Sequence, residues 1–223
     1  MSRRTVALVA ARDEAGRIGP CVGALRGLVD EVVVVDDGSR DGTASEALES
    51  GAAVMRTRRP LGKGLALERA LRRLPPAERW LLADGDLGGT ASLLGPLFEA
   101  LDEGAHVAIA VFPPARAGGL GLVKRAASRG IRGLTGFVAT EPLSGQRALT
   151  AEALEAVRPL ARGFGLETAM TIDAVRAGLR VVEVQVPGLA HRATFRDLRG
   201  FAHRGRQGSD IGLALALRAL GFR

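Results

Sequence analysis

Residues 32–43 read VVVVDDGSRDGT, and residues 81–86 read LLADGD. Each is a short apolar run that stops at aspartate and glycine. A run of β-branched residues without polar alternation fits a strand buried on both faces, as in a parallel sheet. Gly38 and Ser39 then turn the chain, so that Asp36 and Asp37 reach the carboxyl end of one strand, and Asp84 and Asp86 that of another. Two strand ends that bring carboxylates to one rim suggest a site for a nucleotide and a metal ion.

Working outward, strand-like runs at 5–10, 31–35, 53–56, 80–83 and 106–111 alternate with helical patterns at 17–29, 43–50, 65–74 and 92–103. This alternation predicts an α/β fold with a mainly parallel sheet. Residues 113–119, PPARAGG, form a loose connector, followed by a basic helix over 122–134. A helix starting near Ala151 leads to GFGLE at 163–167 and a further helix up to Ala177. A strand over 181–186 precedes a basic helical tail, 195–223, with an expected break at 205–208. The chain is read as one domain: a nucleotide-binding half (1–112), an acceptor half (113–192) and the tail (193–223).

With 223 residues and 47% hydrophobic content, the chain can fill a core without disulfides. The single cysteine, Cys21, cannot form an internal disulfide and reads as a small buried residue, which fits a reducing, cytoplasmic location. The first apolar run is six residues long before Arg12, too short for a signal-peptide core or a membrane span, and no later segment is long enough to span a bilayer. The formal net charge is +7, and all but two of the 31 basic residues are arginine. Aromatic residues make up only 4% and offer no stacking platform. These features speak against nucleic acid as a partner and for an anionic small molecule or a membrane face.

Ala10, Ala11, Arg12, Asp13 and Glu14 follow the first strand. Their carboxylates can accept hydrogen bonds from a base or ribose, or favour a helix N-terminus. At the second strand end, one carboxylate suits the imino group of a base, assigned to Asp37, while Asp36 braces the loop. Lys63, between Gly62 and Gly64, can place a charge near a diphosphate, although the segment is not a P-loop. In extended backbone, Asp84 and Asp86 flank Gly85 and face one side, where oxygen ligands suit Mg2+ or Mn2+. His191, after the last strand and beside Arg192, is a candidate third metal ligand.

Taken together, AARDEAGRI, VVVVDDGSRDGT, GKG, DGD, PLSGQRAL and GFGLE resemble the motifs of a family-2-type glycosyltransferase of the GT-A fold, in order and spacing, over residues 6–192. The last third is similar to glucosyl-3-phosphoglycerate synthases. The resemblance implies transfer of a sugar from a UDP- or GDP-sugar to an unidentified acceptor, a small phosphorylated or polar molecule or a lipid phosphate. It implies that Ala10, Ala11, Glu14, Asp36, Asp37, Gly38, Lys63, Asp84 and Gly85 hold the nucleotide sugar. Asp84, Asp86 and His191 would hold Mg2+ or Mn2+, and Ser144, Gly145, Gln146, Arg147 and Arg192 would lie near the sugar and acceptor. Asp86 and Glu167 would be catalytic, with Glu167 a base if the reaction inverts.

Two departures stand out: Asp13 and Ala10 replace the usual Asn and Pro, and Leu120 stands where those synthases carry an acceptor-gripping arginine. The second speaks against phosphoglycerate as acceptor. Other expected partners are a second copy of the chain and an anionic membrane face met by the tail. A helix packing on the core is the competing role for that tail. A sugar-nucleotide nucleotidyltransferase and a non-catalytic basic protein that binds nucleic acid or membranes are the alternative functions.

Overall fold

A computed structural model describes residues 3–113, 121–190 and 198–222. Seven strands form one sheet: β1 (Thr5–Ala11), β2 (Glu31–Asp36), β3 (Ala53–Arg56), β4 (Arg79–Asp84), β5 (Val107–Val111), β6 (Arg147–Thr150) and β7 (Val181–Gln185), in the order β3-β2-β1-β4-β6-β5-β7. Every pairing is parallel except those of β6, which runs antiparallel to both β4 and β5. The mainly parallel α/β sheet expected from the alternating pattern is therefore present.

Helices cover both faces, which is why the central strands carry no polar alternation. Successive β1 residues feed opposite cores. Ala7, Val9 and Ala11 pack with Ile18, Cys21, Val22 and Leu25 of α1 (Ile18–Leu25) and with Leu97 and Leu101 of α4 (Gly95–Asp102). Val6 and Leu8 pack with Ala66, Leu67 and Ala70 of α3 (Lys63–Leu71), Leu154 of α6 (Ala151–Ala156) and Met170 of α7 (Leu166–Arg176). Cys21 is fully buried, as expected of a small core residue. The remaining helices are α2 (Thr43–Glu49), α5 (Gly121–Thr135) and α8 (Leu198–Ala219).

Three expectations need correction. The sequence pattern ran from PLSGQRAL straight into a helix, but residues 147–150 form β6, and the Thr150 hydroxyl caps α6 by accepting from the Ala153 N–H. The helix expected over 92–103 begins only at Gly95, because a 3-10 segment occupies Gly85–Leu94. The break expected at 205–208 is absent, and α8 runs through it; interior glycine costs about 1 kcal/mol, too little to break a docked helix.

The second half of α8 packs on α5 and α7. Leu215 joins Ile131, Ala139 and Ile172, and Arg218, buried like its partner, pairs with Asp173 at 2.8 Å. Core packing is therefore what this half of the tail does. Residues 192–197 and the side chains of 198–206, where membrane contact was expected, lie outside what the structure describes. Among the described residues no helix is long and apolar enough to cross a membrane.

Candidate active site

The carboxyl ends of β1, β2 and β4 converge on a rim built of interlocked loops. Asp36 is fully buried: Oδ1 accepts the Ser39 N–H at 2.8 Å and Oδ2 lies 3.1 Å from Arg56 Nε. It braces the loop that follows β2. Asp37 Oδ1 accepts the Leu61 N–H at 2.7 Å and its Oδ2 the Gly62 N–H at 2.8 Å, so both oxygens hold the 57–62 loop. Gly38, at φ 75°, has no room for a β-carbon, which would meet the Arg59–Pro60 backbone at 2.9 Å.

The segment after β1 is tied to the start of α2. Asp13, Glu14, Ala15 and Gly16 donate their N–H groups to Ser39, Thr43, Asp41 and Glu46 at 2.6–3.1 Å. These bonds fix the half-buried Glu14 at the rim. Ala11 is buried and its carbonyl accepts the Asp37 N–H at 2.9 Å, while Ala10 remains partly accessible.

Lys63 opens α3, and its ammonium lies 2.6 Å from Asp84 Oδ1 and 2.8 Å from Glu167 Oε1. Burial lowers its proton affinity, but the charges of Asp84 and Glu167 and their hydrogen bonds outweigh that effect and hold the ammonium above the ordinary lysine range. Gly64 serves packing, since a β-carbon there would collide with the Ala161 carbonyl. Glu68, one turn further along α3, secures the same contact by accepting from Arg158 at 3.0 Å and the Leu160 N–H at 3.2 Å.

Asp84 ends β4 in extended backbone, and Gly85 turns the chain into the 3-10 segment that carries Asp86. Strand alternation therefore does not align the two carboxylates, which corrects the expected geometry. Both nevertheless act on Cys21: burial, followed by the charges of Asp86 and Asp84, pushes the thiol up to about 12. Gly85 is packed closely: a β-carbon there would lie 3.0 Å from Ala11 and 3.1 Å from Ile18.

Gln146 clamps Asp84 from across the sheet. Its Oε1 accepts the Asp84 N–H at 2.9 Å and its Nε2 donates to Asp84 Oδ2 at 2.8 Å. Gly145 lies beneath the pair, where a β-carbon would overlap Asp84 Oδ2 and Lys63 Nζ. Ser144 and Arg147, expected near the acceptor, are buried. Arg147 Nε donates to the Ser144 carbonyl and Nη1 to Thr171, both at 2.9 Å, and burial pulls the guanidinium down to about 10 against the opposing charges of Glu167 and Glu183. Arg147 therefore supports the Ser144–Gln146 turn from below. His191, Arg192 and Leu120 lie outside the described residues.

The Glycosyl transferase family 2 model matches residues 7–145, which include Glu14, Lys63, Asp84, Asp86 and the clamp's Gly145. The chain belongs to glycosyl transferase family 2. Within this family it is 32% identical over 163 residues to glycosyltransferase AglJ of Haloferax volcanii, covering 69% of this chain and 52% of that protein. It is 31% identical over 222 residues to a glucosyl-3-phosphoglycerate synthase of Mycolicibacterium paratuberculosis, covering 85% of this chain and 66% of the synthase. The chain thus spans between about half and two thirds of these relatives' length. A crystal structure of the Mycobacterium tuberculosis glucosyl-3-phosphoglycerate synthase with Mn2+, UDP-glucose and phosphoglyceric acid superposes with a TM-score of 0.81 at 29% identity, over 100% of this chain and 81% of that one. The same enzyme with Mg2+ and UDP gives a TM-score of 0.80 at 28% identity. The fold is the GT-A fold of those glycosyltransferases.

The residues of this family 2 chain fit a hard cation. Asp84 and Asp86 offer carboxylate oxygens, while the Cys21 thiol, 3.8 Å from the Asp84 carbonyl, stays protonated and supplies no thiolate. Among the described residues no third His, Cys, Asp or Glu completes a metal-holding group with them. The bracing roles of Asp37, Gln146 and Arg147 were missed in the sequence, because they depend on partners far along the chain.

Proposed function

We propose that the protein transfers a sugar, glucose or a close relative, from a UDP-sugar to a small phosphorylated or polar acceptor, with Mg2+ or Mn2+ held by Asp84, Asp86 and His191. The observation that carries this reading is the Lys63–Asp84–Glu167 cluster beside Asp86 at the sheet's carboxyl rim. The UDP-glucose complex of the mycobacterial neighbour supports the choice of donor.

When bound, the cation neutralises charge on the departing diphosphate. The chain's own residues do the rest. Glu14 is placed at the rim to accept from the base or ribose. Lys63 brings a permanent positive charge beside Asp84, aimed by Glu167 and available to diphosphate oxygens as the sugar leaves. Because Glu167 Oε1 is committed to Lys63, we assign Glu167 to positioning rather than to taking the acceptor's proton. An acceptor group that is already ionised fits that assignment, since it needs no base.

A thermal-shift panel tests the proposal: UDP, GDP, UDP-glucose and GDP-glucose, each with and without Mn2+, on the wild type and on Asp86→Asn. Stabilisation by UDP that needs Mn2+ and is lost in Asp86→Asn is expected, followed by UDP release from UDP-glucose. A response to GDP alone would overturn the donor assignment, and no response to any nucleotide would overturn the proposal.

A further inference from the structure

A cavity of about 490 Å³ lies on the far side of the 57–62 loop, between that loop, the edge strand β3 and α3. None of Glu14, Asp37, Lys63, Asp84, Asp86, Gln146 and Glu167 lines it. Its floor is apolar, with Val35, Met55, Leu61, Ala66 and Ala70. Its lining is also cationic: Arg56 and the loop residues Arg58 and Arg59 on one side, Arg69 of α3 and Arg73 in the turn after it on the other.

Arg56 has a counter-charge in Asp36. Among the described residues, no ion pair or hydrogen bond engages the side chains of Arg58, Arg59, Arg69 or Arg73. No carboxylate lines the cavity, so the charges of Arg58, Arg59, Arg69 and Arg73 are offset by solvent. Arginines along an edge strand also discourage strand-to-strand pairing. That role explains Arg56, which ends β3, but leaves without an account Arg58 and Arg59 in the loop, Arg69 on α3 and Arg73 in the turn just after it.

We propose that this cavity is a second ligand site, separate from the sugar-nucleotide site, for an anion with an apolar body, a phosphate ester above all. Guanidinium groups converging from two elements can bind phosphate oxygens in pairs, and the apolar floor accepts the hydrophobic part. The volume is that of a small-molecule pocket. The ester can be a soluble metabolite or a lipid headgroup, and the two sources are separable by experiment.

Calorimetry with hexyl phosphate, inorganic phosphate and vesicles containing phosphatidic acid tests the site on the full chain. The variants are Arg69→Gln/Arg73→Gln and, as a second pair, Arg58→Gln/Arg59→Gln, each checked for an unchanged circular dichroism spectrum and an unchanged response to UDP with Mn2+. Hexyl phosphate is expected to bind more tightly than inorganic phosphate, with a Kd raised about tenfold or more in either variant. Arginine-dependent binding to vesicles without binding of hexyl phosphate would support the site with a lipid as its source. No binding of either, equal binding of inorganic and hexyl phosphate, or binding unchanged in both variants would overturn it. The UDP response, measured separately, keeps failure here distinct from failure of the transferase proposal.

Discussion

Gln146 holds Asp84 at two points, its amide oxygen taking the Asp84 N–H and its amide nitrogen giving a hydrogen to the Asp84 carboxylate. A strand end that faces the ligand rim is thereby fixed by a residue 62 positions away in sequence. Replacing Gln146 by Leu removes both bonds and strands a half-buried donor. The expected cost is about 1–3 kcal/mol of stability, read by urea unfolding, with a larger loss of sugar transfer than of UDP binding. Wild-type turnover in Gln146→Leu would show that the clamp does not set the site.

Lys63 is the counter-charge of Asp84 and Glu167. In Lys63→Met the two carboxylates face each other without it. The variant is expected to lose roughly 1–3 kcal/mol and to recover more of its Tm on adding Mn2+ than the wild type gains. Lys63→Arg should restore part of the stability. A Tm indifferent to Lys63→Met would sever the proposed link between the lysine and the acidic pair.

The acid limb of stability should carry the mark of Glu68. Burial opposes its ionisation, but the hydrogen bonds from Arg158, Leu160 and Arg72 and the charge of Arg158 win and hold its carboxyl below the usual range. A depressed carboxylate contributes stability that is present above its unfolded pKa, near 4.5, and lost as pH falls through its folded value. Glu68→Gln should therefore lower stability at pH 7 and flatten the pH dependence below about 4.5, measured by denaturant midpoints across pH.

Arg218 and Asp173 form a buried ion pair that pins α8 to α7. Arg218→Ala leaves Asp173 buried without its partner and is expected to cost about 3–5 kcal/mol. Arg218→Met with Asp173→Asn should cost less than the sum of the single changes, as a double-mutant cycle would show.

The buried strands were legible because a both-sides-covered strand needs no polar alternation, and VVVV and WLLA show none. β6 was not legible, because four residues ending in a helix cap carry too little pattern to oppose the helix that follows. At the site, residue types announced the chemistry but not the division of labour. Asp36 and Asp37 are adjacent and alike, and only the position of the 57–62 loop commits Asp37 to its N–H groups. The resemblance offers Glu167 as a base if the reaction inverts, and its contact with Lys63, 104 positions away, shows only once α7 is in place. The sequence presents Gly64 as a flank of Lys63, and the resemblance places Gly145 near the sugar and acceptor; in the structure a neighbouring group, the Ala161 carbonyl or the Lys63–Asp84 pair, occupies the space a side chain would take at each.

The antiparallel β6 has a consequence for recombination among relatives. It comes from the later part of the chain yet sits between β4 and β5, both from the earlier part. A chimaera joined near residue 113 would install a foreign central strand and with it a foreign residue at position 146 against Asp84. Exchange of the later part of this chain therefore also replaces part of the sheet's interior.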